Sequence, residues 1–259
     1  MLSRYGLRFA ALSYLTLLHV LPVAMVFRRA FENGVGAAWD AVTTPEAKHA
    51  FLITIVIALI AVPANTIFGI ACAIAIVRHR FPGKGLVNAI VDLPLALSPI
   101  VVGLSFLLLF GTGGWFAGVP FEVLFALPAM VLATIFVSLP FVVREVVPVL
   151  REIGTEQEQA ASTLGASSWQ TFRRVTLPAI RWAVAYGVVL TTARALGEFG
   201  AVSVVSGRIV GKTDTLTLHV EERFQSFDYV GAYAASVVLA LLAIATLVAM
   251  SVFKPKEGR

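Results

Sequence analysis

Two ionisable residues, Arg194 and Glu198, stand inside an apolar stretch of the chain. Four residues apart on a helix, they share a face and can neutralise one another. Ionisable groups within a membrane usually face a protein interior or a watery cavity. Two interpretations stay open: Arg194 gives an anion pathway its positive potential while Glu198 orients it, or the pair only fixes helix packing. Hydroxyl groups could line the same pathway or bond to their own helix backbone; the candidates are Ser98, Ser203 and Ser206.

Small residues at a spacing of four run beside this pair: Ala193, Gly197 and Ala201. Stripes of small residues let membrane helices approach one another closely. We therefore predict that this stripe packs against another helix and does not contact a ligand.

No pattern in the sequence indicates catalysis. The segment Gly207–Thr213 resembles a phosphate-binding loop, but it has three residues between its glycines where that motif has four. The histidines show no spacing typical of metal ligands, and no Ser-His-Asp set is recognisable; they are His19, His49, His79 and His219. We therefore expect no catalytic residue, no nucleotide site and no cofactor or metal.

The composition indicates a membrane protein. Of the 259 residues, 58% are hydrophobic and 14% are charged, whereas soluble domains carry about 25% charged residues. Six apolar runs reach the roughly 20 residues that a helix needs to cross a bilayer: Phe9–Phe27, Ala50–Val77, Val87–Phe110, Val123–Val143, Trp182–Ser206 and Val230–Phe253. The run Ile53–Val62 does not alternate as a barrel strand would. We predict an all-α polytopic membrane protein with six transmembrane helices, the third kinked at Pro94 and Pro99.

Lysine and arginine residues are concentrated on one side of these spans. Of the 20, 13 lie in the termini and in the second and fourth loops, and 6 lie in the opposite loops. Positively charged loops tend to stay cytoplasmic, so both termini are predicted to be cytoplasmic. This topology accounts for the net charge of +5 without a nucleic-acid partner. The expected organisation is an N-terminal helix and loop (1–48), a core (49–253) and a cytoplasmic tail (254–259).

The fourth loop, residues 144–181, is long enough to fold by itself. Thr155 is a plausible N-cap, and we expect a short helix from there through Leu164, with Gly165 ending it. A second short helix should run from Ser167 or Ser168 to Arg174, and Pro178 should begin the next membrane helix. The segment is either an amphipathic surface element without a partner or a docking surface for a soluble subunit.

The segment Gln159–Pro178 resembles the EAA loop of ABC-importer permeases. The pattern of that family is Glu-Ala-Ala, three residues, Gly, nine residues, Ile-x-Leu-Pro. Five positions match in register: Ala160, Ala161, Gly165, Leu177 and Pro178. Two positions depart, with Val175 in place of Ile and Gln159 in place of Glu, although Glu158 comes directly before it. The resemblance implies a coupling helix that docks into a cleft of an ATPase subunit, with Leu164 and Trp169 as apolar anchors.

Three further segments, 92–111, 193–207 and 211–221, resemble the W-type permeases of sulfate/thiosulfate ABC importers. This resemblance implies the transmembrane domain of a type I ABC importer in a bacterial inner membrane, moving sulfate or thiosulfate. It also implies a homologous T-type permease, two cytoplasmic ATPase subunits and a periplasmic binding protein as partners. Residues 193–201 are shared in outline with molybdate/tungstate permeases, which remain an alternative. An ion-coupled secondary transporter is a further alternative, but no convincing inverted repeat is recognisable.

Overall fold

The chain folds into helices joined by short connections. The computed structural model describes residues 2–253, with side chains from residue 6 to residue 249, and the predicted tail 254–259 lies outside this part. Within it there is no strand, as expected for an all-α protein. The helices are α1 (Leu2–Leu15), α2 (Leu21–Ala30), α3 (Val35–Val42), α4 (Pro45–Arg78), α5 (Lys84–Ala96), α6 (Pro99–Phe110), α7 (Leu127–Ser138), α8 (Pro140–Glu152), α9 (Glu156–Thr163), α10 (Ser168–Thr171), α11 (Leu177–Leu196), α12 (Gly200–Val205), α13 (Leu216–Gln225) and α14 (Tyr229–Phe253).

Five continuous helical stretches are long and apolar enough to cross a membrane: Gly6–Ala30, Pro45–Arg78, Leu127–Glu152, Ser168–Leu196 and Tyr229–Ala249. Helices α5 and α6 form a sixth span if they are counted together. The prediction of six spans is thus confirmed, with the third of them formed by two helices.

The third span is broken rather than kinked, so the prediction of one continuous helix over Val87–Phe110 is wrong. Helices α5 and α6 meet at an angle of 112°. Leu97 and Ser98 between them have extended backbones, with ψ of 142° and 134°. A residue that precedes proline avoids the helical region for steric reasons, so Pro99 forces Ser98 out of the helix.

The fifth span ends earlier than predicted. Helix α11 stops at Leu196, and α12 begins at Gly200 after a break of three residues. The predicted small-residue stripe therefore does not lie on one helix: Ala201 is buried, but Gly197 is exposed. Ala201 does pack closely on α6, since a Cβ built on Gly103 would lie 2.8 Å from the Ala201 carbonyl oxygen. A second close approach lies outside the stripe, where a Cβ built on Gly69 would lie 2.7 Å from the Cβ of Val142. The sequence did not identify this contact, since nothing in it says which helices are neighbours.

The predicted long loop is shorter in the structure because helices occupy both of its flanks. Helix α8 extends to Glu152, beyond the predicted end of the fourth span at Val143. Helix α10 runs through a π-helical turn, Phe172–Thr176, directly into α11. The second short helix begins at Ser168 and Pro178 lies in the first turn of α11, as predicted, but the prediction that the two helices are separate is wrong. Proline has no amide hydrogen and so cannot donate a hydrogen bond to the preceding turn. The wider π-helical turn accommodates this missing bond and the proline ring, so Pro178 does not end the helix.

The bundle centres on α4, which packs against α7, α8 and α11. Asn65 on α4 is fully buried, and its Nδ2 donates to the Ile135 carbonyl at 3.0 Å and to Ser138 Oγ at 2.8 Å. A buried polar group needs such partners, because leaving it unpaired is costly. These bonds fix α4 against α7 near the middle of the bundle.

The two ends of α4 carry different contacts. Near its start, Thr54 Oγ1 accepts a hydrogen bond from the amide of Leu216, at the start of α13. Its last residue, Arg78, contacts the segment that resembles the EAA loop. Residues 54 and 78 are 24 positions apart, about 36 Å along a helix. The α13 region and the EAA-like segment therefore lie at opposite ends of the molecule.

Candidate functional site

The EAA-like segment forms a short helix with a defined end. Helix α9 spans Glu156–Thr163, and Gly165 follows with a positive φ of 83°. Only glycine adopts this backbone conformation without strain, which explains its place at the helix end. The predicted stop at Gly165 is confirmed. Thr155 precedes the helix but makes no side-chain cap, because its hydroxyl accepts a hydrogen bond from the side chain of Gln159.

A capping box begins the helix that returns to the membrane. Ser167 Oγ accepts from the Gln170 amide, and the Gln170 side chain accepts from the Ser167 amide at 2.8 Å. Two backbone donors at the helix start are satisfied in this way. Residues 153–171, called the coupling segment after the family resemblance, therefore form the two short helices α9 and α10, joined by a tight turn and held between α8 and α11.

Arg78 holds the coupling segment in place. Its guanidinium donates to the Leu150 carbonyl at 2.9 Å and to the Gly154 carbonyl at 2.6 Å, and its Nε lies 2.9 Å from Glu158 Oε2. Thr176 Oγ1 donates to the other oxygen of Glu158 at 2.9 Å. One largely buried arginine, 11% exposed, therefore joins the C-terminal ends of α4 and α8 to helix α9. Sequence analysis missed Arg78 and Thr176, because Arg78 is 80 residues from Glu158 along the chain.

Glu158, one of the two acidic residues of α9, faces the protein. Glu158 is partly buried against Arg78, whereas Gln159, in the register of the family's glutamate, is exposed. The two positions therefore have different tasks in this chain. Glu158 anchors the segment internally, and Gln159 faces outward.

Two large apolar side chains stand out among the mostly polar residues on the outward face. Leu164 is 88% exposed and Trp169 is 67% exposed, with the indole stacked at a tilt on Phe172. Two small residues lie beside them: Ala160 is exposed and Ala161 is half-buried. An open groove of about 750 Å³ runs between this face and α11; its lining includes Ala160, Ala161, Leu164, Val175 and Pro178. Leu177 points the other way, into the apolar core.

The Arg194–Glu198 pair lies at the break in the fifth span. Arg194 Nη1 is 2.6 Å from Glu198 Oε2, and the other carboxylate oxygen accepts from the Ala201 amide at 2.8 Å. The Glu198 side chain is 2% exposed, but that of Arg194 is 30% exposed. Glu198 thus starts α12 and compensates the arginine, while part of the guanidinium remains accessible.

The two broken spans meet at this place. A Cβ built on Gly200 would lie 2.8 Å from the Cβ of Pro99, so the breaks before α6 and α12 are in contact. Ser98 is exposed at the first break. Ser203 donates to the Gly200 carbonyl, and the buried Ser206 accepts from the Arg208 amide. Of the three candidate hydroxyls, only Ser98 therefore lies exposed at a break.

The connection between α12 and α13 does not form a phosphate-binding loop. Segment 207–213 is a turn, with no strand before it and no helix directly after it, so it lacks the context of a phosphate-binding loop. The spacing of the histidines gave no sign of the carboxylates that surround His219 in the structure. Its Nδ1 lies 3.3 Å from Asp214 Oδ2 and 4.0 Å from Glu222 Oε2.

A family model for the inner membrane component of binding-protein-dependent transport systems matches residues 65–258. The chain belongs to this family. The matched region contains the coupling segment, Arg78 and the Arg194–Glu198 pair. The chain is thus a permease subunit of a transporter and a multi-pass membrane protein.

Similar proteins agree with this assignment. The permease is 49% identical over 259 residues to the sulfate transport system permease protein CysW of Synechocystis sp., covering 98% of this chain and 94% of that one. It is 36% identical to the sulfate transport system permease protein CysT of Escherichia coli, covering 96% and 91%. The resemblance to W-type sulfate permeases is confirmed.

A solved structure supports the fold. The permease matches a chain of a bacterial ABC transporter involved in the import of the acidic polysaccharide alginate, with a TM-score of 0.79. The two chains are 16% identical, and the match covers 98% of this chain and 96% of the other. The type I ABC-importer fold predicted from the sequence is confirmed.

Proposed function

We propose that this permease moves sulfate or thiosulfate into the cytoplasm as one half of an ATP-driven importer. Near full-length similarity to CysW of Synechocystis sp. supports the substrate. The observation that carries the mechanism is the coupling segment, which Arg78 fixes from inside and which presents Leu164 and Trp169 to the outside. Such an arrangement can receive force from a soluble subunit without deforming.

The proposed complex contains a homologous T-type permease, two cytoplasmic ATPase subunits and a periplasmic binding protein. Similarity to both CysW and CysT is in keeping with a pair of related permeases. The ATPase subunits hydrolyse the ATP, since segment 207–213 of the permease does not have the context of a phosphate-binding loop. In this topology both termini and the coupling segment face the cytoplasm, and residues 49–253 form the core beside a peripheral first helix.

The coupling segment acts as a contact between the permease and its ATPase. Ala160, Ala161 and Gly165 have little or no side chain, so the partner backbone can approach closely. Leu164 and Trp169 fill pockets on the partner as apolar anchors, the kind of residue that dominates binding energy at interfaces. Closure of the ATPases then moves the segment, and through Arg78 it moves α4 and α8.

The substrate passes where the two broken spans meet. Helix breaks at membrane depth are tolerated where the backbone lines a cavity or is buried in protein. The accessible part of Arg194 gives this region a positive potential, and Ser98 supplies a hydroxyl at the other break. Ser203 and Ser206 support the backbone of the same region.

Replacing Trp169 with alanine is expected to release the ATPase subunits. The change removes a mostly exposed aromatic anchor, and such truncations cost about 2 kcal/mol or more at interface centres, roughly a 30-fold loss of affinity. Leu164→Ser should act in the same direction. The measurement is retention of the ATPase subunits on tagged permease purified in detergent.

Trp115 provides the matched control. It is 88% exposed but lies in the connection between α6 and α7, away from the coupling segment. Trp115→Ala should retain the ATPases at the wild-type level. Full retention by both Trp169→Ala and Leu164→Ser would contradict the docking proposal.

Uptake by membrane vesicles that contain the complete complex tests the substrate. Labelled sulfate and thiosulfate should accumulate, vanadate should block accumulation, and collapse of the ion gradient should leave it unchanged. Preferential uptake of molybdate would assign the permease to the other oxyanion branch. Sensitivity to the ion gradient with resistance to vanadate would point to a secondary transporter.

A further inference from the structure

Three potential metal ligands converge at the end of the molecule opposite the coupling segment. Asp214 lies in the turn before α13, and His219 and Glu222 lie one turn apart on that helix. One ligand atom from each residue, a carboxylate oxygen or the imidazole Nδ1, lies within 4.8 Å of the other two. Asp214 and His219 are nearly fully buried, so their arrangement is set by the fold and not by solvent.

One long hydrogen bond, between His219 Nδ1 and Asp214 Oδ2 at 3.3 Å, accounts for only part of this cluster. The imidazole Nδ1 carries at most one proton, yet it faces carboxylates on two sides, at 3.3 Å for Asp214 and 4.0 Å for Glu222. The second distance is beyond hydrogen-bond range, and the first exceeds the 2.7–2.9 Å that is usual between charged partners. Glu222 Oε2 is buried and has no hydrogen-bond partner among the described residues.

Of the basic residues close by in sequence, Arg208 and Arg223 pair with other carboxylates, and Lys212 is exposed. Arg208 Nη1 lies 3.1 Å from Glu221, and Arg223 Nη1 lies 3.6 Å from Asp228. Two carboxylates beside one imidazole therefore lack a compensating cation from these side chains. Buried charge without compensation is unfavourable, so the cluster should attract a cation from solution.

We propose that Asp214, His219 and Glu222 bind one divalent transition-metal ion, and that the ion is Zn²⁺. One imidazole nitrogen and two carboxylate oxygens are ligands that Zn²⁺ accepts, at about 2.0–2.2 Å. At these bond lengths tetrahedral ligand atoms stand about 3.3 Å apart, which matches the distance from His219 Nδ1 to Asp214 Oδ2. The Glu222 side chain, 43% exposed, is free to close the remaining gap, and water takes the fourth position.

The ion would fasten the connection that leads from the broken fifth span. Thr217 on α13 donates to the Glu198 carbonyl at 2.8 Å, and the Leu216 amide donates to Thr54 on α4. A metal bridging Asp214 to His219 and Glu222 would hold the turn against α13 while these bonds hold α13 to the bundle. The site therefore has a bracing task, separate from coupling and from substrate specificity.

Metal titration of the full-length permease in detergent tests the site. After removal of metal with a chelator, the protein should bind one Zn²⁺ per chain by calorimetry. Co²⁺ should compete and give the visible absorption bands of a low-symmetry site. His219→Gln and Glu222→Gln should each weaken Zn²⁺ binding at least about 100-fold, since even loss of an outer-shell partner costs 10–100-fold.

His49 is the matched control. It lies at the same end of the bundle, where its Nε2 is 3.3 Å from the Lys212 carbonyl, outside the three-residue cluster. His49→Gln should bind Zn²⁺ like the unmodified permease. Glu222→Gln alters a partly exposed side chain, so it remains informative if His219→Gln fails to fold. Absence of Zn²⁺ binding by the unmodified permease, or equal binding by the Glu222→Gln variant, would overturn the proposal.

Discussion

Arg78→Met should reduce substrate uptake at least about tenfold while the permease still reaches the membrane. The arginine is 11% exposed and satisfies two carbonyls and a carboxylate that come together at the base of the coupling segment. Without it, the Leu150 and Gly154 carbonyls lose a donor and Glu158 keeps only Thr176. Each buried group left unpaired costs about 1–3 kcal/mol. The coupling segment then moves without moving α4, so ATP hydrolysis should continue with little transport.

The measurement is the ratio of transported substrate to hydrolysed ATP in proteoliposomes that contain the complete complex. Arg29→Met is the control, because Arg29 also pairs with a glutamate but both side chains are more than half exposed. Exposed pairs contribute about 0–1 kcal/mol, so this variant should couple normally. A normal ratio for Arg78→Met would show that the segment transmits force through other contacts.

Glu198→Ala is expected to destabilise the permease by about 3 kcal/mol, near the lower end of the range for breaking a buried ion pair. The change leaves the partly buried Arg194 without its partner and removes the acceptor that starts α12. The apparent melting temperature of the purified permease should fall clearly. Glu32→Ala, at an exposed pair, should leave it unchanged.

Substitutions of Arg194 distinguish the two interpretations of the Arg194–Glu198 pair. If Arg194 supplies positive potential to the pathway, Arg194→Met should raise the KM for sulfate, and Arg194→Lys should restore it. If the pair only fixes packing, both Arg194 variants should alter stability while the KM stays constant. Stable Arg194→Met permease with unchanged uptake would exclude the pathway role.

Much of the fold follows from local sequence. Crossing a bilayer demands about 20 apolar residues, so the spans are legible from composition alone. The helix end at Gly165 could also be predicted, because the residue with a left-handed backbone after a helix is usually glycine. These features depend on neighbours within a few positions of the chain.

The features that the sequence did not yield depend on distant residues. Arg78 meets Glu158 across 80 positions. His219 and Asp214 are only five positions apart, but their contact depends on the conformation of the turn that leads into α13. The break after Leu196 is stabilised by Glu198 binding the Ala201 amide and by the contact of Gly200 with Pro99. Periodicity cannot report such contacts, since an apolar run looks the same whether or not its middle is interrupted.

The position of Asn65 on α4 has a mechanical consequence. Its side chain ties the long helix to its neighbour near mid-length, and Pro63, where a helix bends most easily, is two residues away. The hydrogen bonds of Asn65 and the proline at which α4 bends most easily thus lie within one turn of each other. We expect each half of α4 to bend about this position. Arg78 is 13 residues from that pivot, about 20 Å, so a swing of about 10° carries it some 3 Å. A modest bend of α4 would therefore displace Arg78 and the segment it holds by about the length of a small side chain.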